Sequence, residues 1–418
     1  MFRYFLRITA IGGASGIQVI LLALLSLLLA RYLSVEDFGI TRTVSAYMVL
    51  LTMFGHFCLH DSVSAYVAGA KSGAEKTGYV MTGSYLAIFI SVIVTVIAEF
   101  IIRFSGLWTG GLRDAFFWTV PFLPAVSLTI VYTSLLQAVG SYRRLAISLV
   151  LGGVIPVLLI TPLSARWALT GWIVGRGLAY AILFVLGAWF IAEFLRKTTL
   201  ETRKAKDLIG FSKIQIFSGV LSMLIQSADV IALERLKGDM KEIAVYGLAA
   251  LFGKSVLFLP GAVGRVYFRD IAESTHAEAR LWKAVTHLIL VTSAICVAMA
   301  LLLYAFAPYF LRLLYGARYL ESIPVLNILC VGIVFSGSWA ALSVVNIAMK
   351  RPYQAVAISA AGVIVAVAML SILVPRFGAR GAAWSMNGAY AAGSAVGFYL
   401  LWREKRSGYT SHHEHENT

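Results

Sequence analysis

The stretch ITAIGGASGIQVILLALLSLLLA, residues 8 to 30, decides how the rest of the chain is read. Arg3 and Arg7 precede it, so its outline is that of a secretory leader. Its apolar run is longer than the usual leader core of about 7 to 15 residues, however, and no small-residue cleavage site follows. At a rise of about 1.5 Å per residue, such a run crosses the roughly 30 Å hydrocarbon layer of a bilayer as one helix. The expectation is a first membrane span.

Working outward, runs of the same kind recur along the chain. Twelve spans are expected, at residues 8 to 30, 40 to 68, 78 to 102, 115 to 138, 145 to 164, 168 to 194, 212 to 234, 243 to 268, 283 to 307, 322 to 347, 354 to 374 and 381 to 402. Hydrophobic residues make up 60% of the 418, and charged ones only 13%, which excludes an ordinary water-soluble fold. Uninterrupted apolar runs are not the alternating pattern of a membrane barrel, so the class is all-α integral membrane. The net charge of +15 does not signal nucleic acid, because the Lys and Arg residues punctuate apolar runs instead of gathering on one face.

Sorting the basic residues by loop gives an orientation. With the N-terminus in the cytoplasm, 21 lie on that side and 12 on the other, which places both termini inside by the positive-inside rule. Trp108 and Trp167 outside, with Trp282 and Trp402 inside, fall at span ends as an aromatic belt would. The longest polar break, with Arg196, Lys197, Arg203, Lys204, Lys206 and Lys213, divides the spans into two groups of six. The expected organisation is an N-terminal six-helix lobe (1 to 195), a basic cytoplasmic linker (196 to 211), a C-terminal six-helix lobe (212 to 403) and a polar cytoplasmic tail (404 to 418).

The two halves echo each other at an offset of roughly 210 residues. Phe38-Gly39 corresponds to Tyr246-Gly247, and Tyr142-Arg143-Arg144 to Lys350-Arg351-Pro352-Tyr353. Gly171-Trp172 with Gly175 and Gly177-Leu178-Ala179-Tyr180 corresponds to Ala383-Trp384 with Gly388-Ala389-Tyr390. Six spans per half make the repeats parallel, an arrangement known from transporters that bind their substrate near the midplane. GxxxG spacing at Gly12 and Gly16, Gly171 and Gly175, and Gly393 and Gly397 predicts close backbone contact.

Three further stretches carry a family resemblance: Leu29-Ala30-Arg31-Tyr32-Leu33 with Glu36-Asp37-Phe38-Gly39; Ser227-Ala228-Asp229 with Ala244-Val245-Tyr246-Gly247 and Leu259-Pro260; and Tyr315-Gly316-Ala317-Arg318-Tyr319 with the run from Val374 to Ala383. They resemble the Wzx-type polysaccharide-biosynthesis flippases, in the superfamily that also holds multidrug exporters and the lipid II flippase. Met349-Lys350-Arg351 departs from relatives that often carry Gly before the basic residue. The resemblance implies a MATE-like fold, two pseudo-symmetric lobes around a central cavity. It also implies a cargo, an undecaprenyl-pyrophosphate-linked oligosaccharide of an O-antigen, lipopolysaccharide, capsule or exopolysaccharide pathway, moved from the cytoplasmic to the periplasmic leaflet of a bacterial inner membrane. A polysaccharide polymerase and a chain-length regulator are the partners it suggests, beside the membrane lipids themselves.

Ionisable groups at membrane depth cost about 2.5 to 3.5 kcal/mol each on insertion scales, so they mark wet cavities or partners. Lys254 and Arg176 are the two basic residues deepest inside spans. Lys254 suits a pyrophosphate or acidic sugar, or an ion pair with Asp229. Arg176 suits bidentate phosphate binding, or ties helix carbonyls together. Asp229, placed near bulk water, is read as a cation or proton carrier or as a partner of Arg235. Asp61, His60 and His56 form a candidate proton relay or a polar cavity wall. Arg31 and Arg42 flank the first outer hairpin, to meet the glycan or to anchor headgroups. Glu99 and Arg103, one turn apart, are expected to pair.

No cofactor is expected. Cys58, Cys296 and Cys330 lack metal or disulfide spacing, and a polar terminus is the expectation for His412, His413, Glu414 and His415. No glycine loop for nucleotides, paired catalytic carboxylates or nucleophile elbow occurs, which speaks against an enzyme. The alternative to a flippase is a proton- or sodium-coupled multidrug or metabolite antiporter. Its cavity would be acidic and aromatic, whereas the two deepest charges here are positive.

Overall fold

The computed structural model describes residues 2–70, 72–192, 201–256, 260, 263–264, 267, 271, 278–349 and 351–407. Arg196, Lys197, Leu259, Lys350 and the histidine-containing tail lie outside them, as do parts of the expected linker and eighth span. The described chain is almost wholly helical, with no strand among these residues. Its helices are α1 (Phe2–Tyr32), α2 (Val35–His56), α3 (Leu59–Gly69), α4 (Gly73–Phe104), α5 (Gly110–Thr119), α6 (Leu123–Ala138), α7 (Tyr142–Ile191), α8 (Thr202–Leu236), α9 (Met240–Ser255), α10 (Glu278–Tyr315), α11 (Ser322–Ala348) and α12 (Pro352–Ser407).

Helix starts follow local chemistry. The Ser34 hydroxyl accepts the Asp37 amide at 2.9 Å and the Ser72 hydroxyl that of Glu75 at 3.1 Å, capping α2 and α4. Asp239 caps α9 by accepting from Lys241 N at 2.8 Å.

Two helices are too long for one crossing. α7 has 50 residues, roughly 75 Å at the α-helical rise, against a hydrocarbon layer of about 30 Å. The backbone reverses at Ala168 (φ 49°, ψ −128°), just after the expected fifth span. α12, with 56 residues, reverses in the same way at Gly378 (φ 54°, ψ −128°), between the expected eleventh and twelfth spans. The two reversals lie 210 positions apart and share one conformation, so the internal repeat is present in the backbone. Both limbs of each hairpin touch through glycine. A β-carbon at Gly171 would collide with the Leu163 carbonyl, and one at Gly175 would fall 2.8 Å from Ile160 Cα. In the second repeat Gly381 meets the Leu373 carbonyl in the same way. Register at 210 pairs Gly171 with Gly381 and sets Trp172, buried, against Ala382. The expected match of Trp172 to Trp384, which is 48% exposed, is therefore corrected.

The other expected glycine contacts differ. Nothing approaches Gly12, while Gly393 and Gly397 pack on the side chains of Trp339 and Leu342 and not on backbone. The second expected span is also interrupted. Phe57 (φ 48°) and Cys58 (φ 53°) take left-handed backbone and separate α2 from α3. Irregular backbone at membrane depth is tolerated only where protein or a wet cavity surrounds it.

The chain divides into two compact units, residues 1–227 and 228–418. The basic segment expected as a linker is helical from Thr202 on, as the first turns of α8. In the first unit the core joins Leu59 and Val63 of α3, Val131 and Leu135 of α6, Ile191 of α7 and Leu208 of α8. In the second it joins Leu281 and Val285 of α10 with Ala341 and Val345 of α11. Large apolar side chains are meanwhile exposed along whole faces, such as Phe89, Val96 and Phe100 of α4. In water such faces would aggregate. Between lipid tails they are the solvated surface.

Candidate functional site: a cationic cavity in the first unit

The second limb of α7 carries Trp172, Arg176 and Tyr180, each four residues apart and therefore stacked on one helix face. The Arg176 guanidinium lies 4.9 Å from the Trp172 ring centre and 5.4 Å from that of Tyr180. Its Nε donates to the Tyr180 hydroxyl at 2.9 Å, and an Nη to the Ser45 hydroxyl of α2 at 2.7 Å. Both partners are neutral. The side chain is thus oriented without its charge being cancelled, and no ion-pair partner for it occurs among the described residues.

Arg176 and Arg42 line one cavity of about 360 Å³, enclosed by α1, α2, α6 and α7. That volume is in the range of small-ligand sites. Most of the wall is apolar. The polar part includes Gln18, Thr41, Thr129 and Thr133. The three threonines donate their hydroxyl protons to backbone carbonyls of their own helices, Thr41 to Phe38, Thr129 to Ala125 and Thr133 to Ile130, at 2.7 to 2.8 Å. Each oxygen keeps acceptor capacity. The cavity therefore offers cationic donors beside hydroxyl acceptors on an apolar wall.

The remaining expected site residues lie elsewhere. Arg31, in the last turn of α1, is exposed and does not line this cavity. Lys254 and Asp229 meet in the second unit, at 2.7 Å between Nζ and the carboxylate. Asp229 is completely buried, which corrects its expected position near bulk water. It also accepts from the Tyr246 hydroxyl at 2.6 Å and from Val230 N at 2.8 Å. Arg235, the other candidate partner, pairs with Glu234 at 3.1 Å. The pocket beside Lys254, shared with Ser336, Asn387 and Tyr390, holds only about 20 Å³. That is room for a single water.

His56, His60 and Asp61 cluster at the break between α2 and α3. The imidazole rings meet edge to face at 4.6 Å, His60 Nε2 lies 3.4 Å from Asp61, and His56 Nδ1 accepts from Cys58 N at 3.1 Å. Glu99 and Arg103 do not pair: the Arg103 carbonyl accepts from Arg113 at 3.4 Å, and one Glu99 oxygen is buried without a hydrogen bond. Sequence reasoning did not reach Ser45, Thr129 or Thr133. In the sequence Trp172 and Tyr180 stand only as repeat markers, although their spacing from Arg176 is a usable signal.

Comparison with known proteins gives this geometry a context. No curated protein sequence matches the chain. Solved structures do. The lipid II flippase MurJ in an inward closed conformation superposes with a TM-score of 0.79 at 15% identity, over 94% of this chain and 87% of that one. An inward-facing multidrug-resistance MATE transporter of the MOP superfamily gives 0.73 at 16%, over 96% and 94%. A MOP-superfamily transporter from Pyrococcus furiosus, described as having a binding pocket of reverse polarity, gives 0.68 at 16%, over 96% of each chain. These likenesses establish a shared all-helical membrane-transporter fold. The sequence profile of the polysaccharide biosynthesis protein family matches residues 28–324, and the chain accordingly belongs to that family of multi-pass membrane proteins.

Proposed function

We propose that this protein is a flippase that carries an undecaprenyl-pyrophosphate-linked oligosaccharide from the cytoplasmic to the periplasmic leaflet of a bacterial inner membrane by alternating access, with both termini in the cytoplasm. The repeat unit it carries would serve an O-antigen, capsule or exopolysaccharide, taken up afterwards by a polymerase and a chain-length regulator. The observation that carries the reading is Arg176: a guanidinium held in a cavity by neutral groups, with three N–H donors beyond the two engaged by Tyr180 and Ser45. A pyrophosphate leaving water needs such donors, because a bare anion in hydrocarbon costs tens of kcal/mol by Born solvation. The threonine acceptors suit sugar hydroxyls, and the apolar wall suits the beginning of a prenyl chain.

Arg42 shares the phosphate, and Arg31, outside the cavity, is left to the lipid headgroups. Lys254 is assigned to its ion pair with Asp229. The work is conformational and forms no covalent bond. His56, His60 and Asp61, set at an irregular break in a span, are the groups to which we assign ion coupling. Replacing both histidines with Gln should abolish uphill transport while cargo binding persists; loss of binding would reject that assignment.

The antiporter alternative is separated by reconstitution. In proteoliposomes the protein should move a fluorescent prenyl-pyrophosphate-linked saccharide to the opposite leaflet and leave a cationic dye such as ethidium where it is. Ethidium transport without saccharide movement would overturn the proposal.

A further inference from the structure

A second basic site lies in the other unit. The first turns of α10 and the last of α12 enclose a surface cavity of about 660 Å³, lined by Arg280, Lys283, Lys405, Trp282, Tyr267 and Leu290 among others. None of its described lining residues is a carboxylate. The Lys405 ammonium lies 5.7 Å from the Trp282 ring centre. The Tyr267 hydroxyl and His287 Nδ1 are hydrogen-bonded to each other at 2.6 Å. The Trp282 indole N–H is buried with no hydrogen-bond acceptor. Three cations therefore converge on a space with no carboxylate among its described lining residues.

The surroundings identify the medium. Arg280, Lys283 and Lys405 sit where α10 and α12 leave their apolar runs, and Leu290, two turns further into α10, is 62% exposed on the same wall. On α12, Trp402 is half exposed, with the Arg406 guanidinium 4.2 Å over its ring. Aromatic rings combined with cations at helix ends mark the headgroup layer, and basic pockets between helices at that level hold anionic headgroups. A soluble anion would have no use for the exposed leucine, whereas an acyl chain would lie along it.

We propose that this cavity binds the phosphodiester headgroup of an anionic glycerophospholipid from the surrounding leaflet, with the phosphate held among the three cations and an acyl chain along Leu290. The site is separate from the Arg176 cavity and does not depend on the cargo assigned there.

The test uses full-length protein in neutral detergent, with bound lipid counted by native mass spectrometry during titration with phosphatidylglycerol or phosphatidylcholine. The wild type should retain phosphatidylglycerol preferentially. Each cation removed should weaken that binding about fivefold, since each contributes about that factor near a membrane surface. Arg280→Gln/Lys283→Gln/Lys405→Gln should therefore lose about 100-fold and leave phosphatidylcholine unchanged. If the triple variant is misfolded by its melting temperature, Lys405→Gln alone, at an exposed helix end, should still show the fivefold loss. Retention of phosphatidylglycerol by folded variants at the wild-type level would overturn the proposal. So would displacement of the lipid by equimolar inorganic phosphate, which would make this a soluble-anion site.

Discussion

A half-buried cation stands among the helices of each unit, and the two are handled differently. In the first, Arg176 is held by two hydroxyls and two aromatic rings beside a cavity of about 360 Å³. In the second, Lys254 is held by the fully buried Asp229, beside a space of about 20 Å³. Neutral partners fix position and leave charge available; a carboxylate fixes position by cancelling it. The same backbone repeat, reversing in one conformation at Ala168 and Gly378, thus holds a cation on neutral partners in one half and an internal ion pair in the other. The repeat supplies the scaffold, and under the proposed function a few side chains decide which half meets the cargo.

The largest expected effect breaks the second-unit pair. Lys254→Met leaves Asp229 buried without a counter-charge, and removing one partner of a buried pair costs about 3 to 5 kcal/mol. Because Lys254 is one-third exposed, the lower end is expected, read as a fall in melting temperature of the purified protein. Asp229→Asn/Lys254→Met should recover most of the loss, and a single variant that melts with the wild type would remove the contrast between the units.

A smaller effect compares the two reversals. Gly378→Ala forces a β-carbon into positive φ and against the Glu242 carboxylate, which accepts from Ala379 N. It should destabilise by about 1 to 3 kcal/mol. Ala168→Gly relieves the same backbone strain and should stabilise. Equal signs in thermal melts would mean that the hairpins are not equivalent.

The smallest effects sort hydroxyls by role. Ser45→Ala and Tyr180→Phe should each weaken cargo binding about two- to tenfold, as loss of one hydrogen bond of about 0.5 to 1.5 kcal/mol would. Tyr246→Phe should lower stability by a similar energy and leave binding alone. A binding loss from Tyr246→Phe would tie the second unit to the cargo.

Much of this architecture was legible in the sequence because hydrophobic length is imposed by the bilayer. The spans follow from it, and so do the two hairpin reversals at the gaps between spans; the 210-residue echo is read from matching residues. The break at Phe57 and Cys58 was not legible, since bulky residues rarely take positive φ and the apolar run continues through them. Depth along an isolated helix sets Asp229 near bulk water, but α9, through Tyr246 and Lys254, closes over it. Spacing alone did not make Glu99 and Arg103 pair. Of the site, Arg176 and Arg42 were legible as ionisable groups near or within spans. Ser45, 131 residues from Arg176, could be found only once the helices were packed.

The most direct measurement is the affinity of purified full-length protein for a prenyl-pyrophosphate-linked saccharide, compared across two variants. With charge-assisted hydrogen bonds contributing about 1.5 to 3 kcal/mol, Arg176→Gln should bind at least tenfold more weakly, and Asp229→Asn/Lys254→Met should bind as the wild type does. Undiminished binding by Arg176→Gln, or a tenfold loss in the double variant alone, would contradict the assignment of the cargo's charge to the first unit.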